Sequence, residues 1–163
     1  FAWTDVFSVM GNGVTAMYDI TVISIIVACI GALVKEYGGI EWLIRFIRKR
    51  VNTKKGAQLG IAALVAAVDV ATANNTVAIV MTGSIAKDIS DEYDIDPRRT
   101  ASLLDIFASV VQGIIPYGAQ LLYASAGAGV SAMQIIPYMF YPYLMAISAI
   151  IFILFIGGKS KQV

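Results

Sequence analysis

Two carboxylates stand against long uncharged runs: Asp69 inside the stretch from Gly56 to Ala86, and Asp105 directly before the stretch from Ile106 to Gly158. A charge at the centre of a bilayer costs about 2.5–3.5 kcal/mol on insertion scales, which makes such residues functional candidates by default. On a helix, Asp69 shares its face with Thr72 and Ala73, and Asp105 shares its face with Ser109 and Gln112. Each acid is followed by residues that break helices. After Asp69 come Asn74, Asn75 and Thr76; after Asp105 come Gly113, Ile114, Ile115, Pro116, Tyr117 and Gly118, flanked by Gln112 and Gln120. Adjacent asparagines are weak helix formers and expensive in lipid unless hydrogen-bonded. Proline removes an internal helix hydrogen bond and clashes with the preceding turn. Interrupted membrane helices expose carbonyls and helix ends near the midplane, where transporters hold substrates and coupling ions. Oxygen donors suit hard cations such as sodium. Removing a carboxylate from water favours its protonated form, and a cation beside it favours the ionised form. Competition between a proton and a cation for one acid therefore gives exchange. The candidate cation- and proton-binding residues are Asp69, Asn74, Asn75, Thr76, Asp105, Ser109, Gln112, Gly113, Pro116 and Gly118. Structural roles stay open: Asp69 as a hydrogen-bonded brace of its segment, Asp105 as an ion-pair partner of Arg98 or Arg99.

These residues need a membrane to work in. Of the 163 residues 58% are hydrophobic and 14% charged, with a mean hydropathy of +0.76. Soluble domains average about 45–50% apolar and about 25% charged, so a water-soluble enzyme, a disordered tail and a nucleic-acid binder do not fit. The chain has no histidine, and Cys29 is its single cysteine, which removes imidazole chemistry and any intrachain disulfide. The expected fold is all-α and membrane-integral.

Along the chain, residues 1–17 read as a short interfacial, extracytoplasmic helix and loop, turning at Gly11-Asn12-Gly13. A first span, about Tyr18 to Val34, opens the scaffold region 18–55. Ile40, Leu43, Ile44, Ile47 and Val51 then follow helical spacing, with Glu41, Arg45, Arg48 and Lys49 opposite. This predicts an amphipathic helix in the interface plane with Trp42 and Phe46 towards lipid; a soluble-type surface helix is the alternative. Residues 56–87 exceed the roughly 20 that one span needs, and the polar segment at Ala73 to Thr76 splits them into a re-entrant hairpin, against the alternative of one long tilted helix. After the acidic loop, Asp96-Pro97 is an N-cap followed by proline at the first helical position. The helix it opens breaks at Gly113–Gly118 and resumes from Ala119 to about Tyr123; the hairpin and this broken helix make a transport unit, 56–124. Ser125 to Ser131 reads as a small-residue turn, and 132–157 as a final scaffold span with Tyr138, Tyr141 and Tyr143 at its outer end. Apart from Lys35, the basic residues fall in 36–55, in 87–99 and at Lys159 and Lys161. A hairpin that enters and leaves on one side puts them all on the cytoplasmic side of the cell membrane, in a multi-pass chain.

The order of span, amphipathic helix, hairpin with an Asn-Thr tip, broken helix and span resembles one repeat of the ion transporter superfamily. Val68-Asp69-Val70-Ala71-Thr72-Ala73-Asn74-Asn75-Thr76, together with Arg98 to Phe107 and Pro116 to Gln120, is similar to the NhaC-type sodium/proton antiporter family. The resemblance implies paired inverted repeats, two hairpins facing two broken helices, and a transport unit moving against a scaffold. Its implied site is Asn74, Asn75 and Thr76 with Asp105 and the Gly113–Gly118 break, and Asn75, Thr76 and Asp105 as sodium ligands. Sodium and protons are then transported ions, and no resident cofactor is implied. The chain has about half the length such a paired architecture needs. It therefore reads as a C-terminal half, completed by a companion N-terminal half or a second copy in the lipid membrane.

Two other functions remain open on the sequence. One is a carrier of small organic anions or amino acids from the same superfamily, against which the lack of an embedded Lys or Arg counts. The other is a non-transporting membrane assembly subunit, in which the glycines serve helix packing.

Overall fold

A computed structural model describes residues 3–49 and 51–157; among these there is no strand. Arg50 and the basic tail with Lys159 and Lys161 lie outside the described residues, as do the side chains of Asp19, Leu43 and Arg48.

The first helix, α1, runs Trp3–Glu36 without a break. At 1.5 Å per residue it is about 51 Å long, against about 30 Å of apolar bilayer. The turn expected at Gly11-Asn12-Gly13 is absent: all three residues lie within this helix. Each glycine costs a helix only roughly 1 kcal/mol relative to alanine, too little to stop one with apolar residues on both sides. Thr15 and Thr21 donate their hydroxyls to the carbonyls of Gly11 (3.0 Å) and Met17 (2.8 Å), hiding polar groups on the helix's own backbone.

A left-handed Gly38 (φ 74°) turns the chain into α2, Gly39–Arg48. Its apolar stripe is used inside the protein: Ile40 joins the core, as does Val51 in the link after the helix, and Ile44 and Ile47 pack against it. Trp42 and Phe46 stack with ring centroids 5.5 Å apart and stay largely exposed.

Thr53 caps α3 (Lys54–Thr72) by accepting from the Gly56 amide, 3.0 Å away. A two-residue link leads to α4 (Asn75–Glu92). At the open end of this pair the Tyr93 hydroxyl donates to the Val51 carbonyl (2.8 Å), and Lys54 meets Asp94 at 3.4 Å. The two arms therefore lie side by side in opposite directions as a helical hairpin. Asp96 and Pro97 start α5 (Pro97–Gln112) as the sequence predicts, with the Asp96 carboxylate accepting from the Arg98 amide at 2.8 Å. Leu103, Leu104, Phe107 and Ala108 of α5 close over Ile61, Leu64, Val65 and Val68 of α3, and this is the main core. Gln58, fully buried, donates to the Gly157 carbonyl (2.8 Å) and ties in the turn that follows the last helix.

After the interruption at 113–118, α6 continues over Ala119–Ala128 and ends on left-handed Gly129 (φ 67°). It is longer than expected, and the small-residue turn shrinks accordingly, because Ser125, Ala126 and Ala128 are compatible with helix and glycine is needed only at the cap. The final segment is bent rather than one straight helix. α7 (Ala132–Ile135), a 3-10 turn (Ile136–Tyr138) and α8 (Phe140–Phe155) meet at Met139 with a bend of 52°. Pro137 fits the first turn of the 3-10 segment and Pro142 the first turn of α8, where a missing N–H costs nothing. By length and hydropathy, α1 and α3 each qualify as membrane spans, and the bent pair qualifies as a third.

Candidate functional site at the hairpin tip

The tip is built by backbone geometry. Ala73 ends α3 in the left-handed region (φ 48°), and its amide donates to the Asp69 carbonyl at 2.7 Å. Asn74 then caps α4, its side-chain oxygen accepting from the Val77 amide at 3.1 Å. The expected interruption between Ala73 and Thr76 is present, narrowed to Ala73 and Asn74.

Three contacts dock this tip onto the end of α5 and the segment that follows it. Gln112 donates its amide to the Ala73 carbonyl (3.2 Å) and to the Gln120 side-chain oxygen (2.8 Å). Asn75 donates to the Ser109 hydroxyl at 3.3 Å. The Tyr117 hydroxyl donates to the Val70 carbonyl at 2.7 Å. The Gly113–Gly118 interruption thus folds against the Asn tip.

The donors are spent on docking, and the oxygens are left over. Both oxygens of Asp69, Oδ1 of Asn75 and Oε1 of Gln112 are buried without a hydrogen-bond partner among the described residues. Asp69 is fully buried. An unpaired buried carboxylate is costly, and a proton or a cation removes that cost. Four unpartnered acceptors, two of them on a carboxylate, match the needs of a monovalent cation better than those of an anion.

The other candidates are not in that seam. Asn74 and Thr76 are exposed at the tip, and Asp105 is exposed on α5. Asp105 shares its helical face with Ser109, but at its level neither hairpin arm covers that face. Arg99 does not meet Asp105; it lies over the Phe152 ring, 5.0 Å from its centroid, and reaches the Gly157 carbonyl at 3.5 Å. Gly113 packs beside Pro142, Gly118 caps α6, and Pro116 sits between them in the interruption. Sequence reasoning missed Tyr117 as the latch on α3. Its position inside the Pro-Tyr-Gly break was the available signal.

Among curated proteins, the chain is 27% identical over 122 residues to the arginine/ornithine antiporter ArcD of Halobacterium salinarum, covering 75% of this chain and 25% of that protein. It is 21% identical over 140 residues to the Na+/H+ antiporter NhaC of Bacillus subtilis, covering 86% of this chain and 31% of the relative. To the malate-2H+/Na+-lactate antiporter of Bacillus subtilis it is 20% identical over 141 residues, covering 86% and 30%. The chain thus spans between a quarter and a third of these relatives' length, less than the half expected. No solved structure matches it. The family model for the Na+/H+ antiporter family matches residues 1–157, and the chain belongs to that family of membrane transporters.

Proposed function

We propose that this chain forms one repeat of a secondary transporter exchanging sodium for protons, with Asp69 as the group that alternately holds the two. The observation that carries the reading is the set of four buried, unpartnered oxygens on Asp69, Asn75 and Gln112 at the docked tip. A dehydrated sodium ion takes oxygens that need no proton of their own, and a proton on Asp69 neutralises the same seam when the ion leaves. Asn74, Thr76 and Asp105 are exposed and stand open to a companion repeat or a second copy, which would supply the remaining ligands. The name of the Bacillus subtilis NhaC relative, an Na+/H+ antiporter, supports this ion pair.

In this reading the hairpin is re-entrant. α4 is uncharged only from Asn75 to Ala86, about 18 Å of helix, so a base held at one surface leaves the tip within the roughly 30 Å apolar layer. The basic residues around that base place it on the cytoplasmic side. Residues 56–124 then act as the transport unit, with 18–55 and 132–157 as scaffold.

The test is the complete transporter in proteoliposomes carrying an internal pH dye and pulsed with sodium, lithium or potassium. A sodium-driven pH change that Asp69→Asn abolishes supports the proposal. An unchanged response in Asp69→Asn, or a response that ignores sodium, overturns it.

A further inference from the structure

The base of the hairpin meets the end of α8. Lys55, in the first turn of α3, donates its ammonium to the Leu154 carbonyl. Arg99, in the first turn of α5, reaches the Gly157 carbonyl at 3.5 Å while its guanidinium lies over the Phe152 ring. Leu154 and Gly157 are three residues apart, so two helix starts bring their cations to the same turn at the end of α8. Lys55 precedes Asp69 by 14 residues, about 21 Å along α3, which separates this corner from the tip.

Positive charge is in excess here. A helix C-terminus carries roughly half a negative charge, against one full positive charge on each of Lys55 and Arg99. The carboxylates of the neighbouring loop do not make up the difference: among the described residues the one ion pair is Lys54 with Asp94. Arg98, exposed and next to Arg99 in the chain, adds a further cation outside any ion pair. An ammonium has three donors and a guanidinium five. Lys55 and Arg99 each commit a single one among the described residues, so most stay open. Beside the cations α8 exposes Ile151, Phe152 and Phe155, the last of them 76% exposed. Uncompensated charge and bare apolar surface therefore adjoin at the end of a helix from a candidate membrane span.

We propose that this corner binds an anionic phospholipid. The phosphate takes the open donors of Lys55 and Arg99, and an acyl chain lies along Ile151, Phe152 and Phe155. In the orientation proposed above this end faces the cytoplasmic leaflet, which carries the anionic lipids, and basic recesses between membrane helices on that side suit their headgroups. A free inorganic anion gains nothing from the aromatic flank. A zwitterionic headgroup brings a cation of its own to a place already rich in positive charge. The bound lipid bridges the starts of α3 and α5 to the end of α8, whatever Asp69 holds.

Native mass spectrometry of the complete protein in neutral detergent, titrated with phosphatidylglycerol or phosphatidylcholine, tests the proposal. Phosphatidylglycerol should bind saturably and about tenfold or more tighter than phosphatidylcholine. Lys55→Met and Arg99→Met should each weaken it about fivefold, and Arg99→Lys should retain most of it. The exposed Lys49→Met, which removes a charge elsewhere, should leave it unchanged. Phe155→Ser, which spares both cations, should weaken it as well. Size-exclusion profiles report folding, and if Arg99→Met is misfolded the exposed Lys55→Met and Phe155→Ser variants decide. Equal affinity for the two lipids, full binding in both Lys55→Met and Phe155→Ser, an equal loss in Lys49→Met, or displacement of the lipid by inorganic phosphate at matching concentration overturns the assignment.

Discussion

The Gln112 side chain donates to the carbonyl of Ala73 across 3.2 Å, joining the last residue of α5 to the left-handed residue at which α3 ends. One amide thus holds a helix end and a helix interruption together, while its own oxygen stays buried and without a partner among the described residues. Gln112→Ala removes this bond and the one to Gln120, and leaves the Ala73 carbonyl unsatisfied inside the protein. The expected loss is about 1–3 kcal/mol, visible as a lower unfolding midpoint in detergent. Gln112→Met, of similar volume but without the donor, should lose nearly as much; if it is as stable as the native protein, the docking bond does not hold the tip.

Ala73 bears a side chain at φ 48°, a conformation that L-residues other than glycine avoid. The penalty for a side chain there is about 1–2 kcal/mol, partly offset by the extra freedom glycine has in the unfolded chain. Ala73→Gly should therefore stabilise the protein by about 0.5–1 kcal/mol, and Ala73→Val should destabilise it by more than that. Paired thermal melts check the order; a destabilised glycine variant would mean that the tip relaxes away from this geometry.

What could be read from the sequence was whatever sits in local chemistry. The Asp96-Pro97 start of α5, the interruption after Thr72 and the break at 113–118 are each written in a few adjacent residues, and each is present. Helical spacing also put Asp105, Ser109 and Gln112 on one face correctly. Spacing does not say which level of that face a neighbour covers, and here the tip reaches Ser109 and Gln112 but leaves Asp105 exposed. Tyr117 was not legible as a latch, because its partner lies 47 positions away. The Gly11-Asn12-Gly13 signal misled for the opposite reason: a local preference worth about 1 kcal/mol per glycine was outweighed by its flanks.

At the open end of the hairpin two contacts look alike and should differ in weight. Tyr93 is partly buried and donates to a backbone carbonyl, whereas Lys54 and Asp94 pair at the surface, with the Asp94 side chain 92% exposed. Tyr93→Phe should cost about 1 kcal/mol. Lys54→Met should change stability by only a few tenths of a kcal/mol, and that difference should vanish in high salt. Denaturation of both variants at low and high ionic strength measures this. A larger loss from Lys54→Met would show that charge, not the tyrosine, closes the hairpin base.

At Gly31, α1 packs close against the hairpin. A Cβ placed there would stand 3.0 Å from the Ala71 carbonyl oxygen and 3.4 Å from the Thr72 Cα, both backbone atoms that cannot swing aside. Gly83 on α4 has nothing within 4 Å of the same position. Two glycine-to-alanine changes, each in a helix, should thus differ in effect. Gly83→Ala gains about 1 kcal/mol of helix propensity at no steric cost. Gly31→Ala receives the same gain but must push α1 off the tip by a few tenths of an ångström, and Gly31→Leu must push it much further. Leucine there should destabilise by about 1–3 kcal/mol. Melting curves of the three variants test this, and a Gly31→Leu protein as stable as Gly83→Ala would show that α1 does not rest on the hairpin.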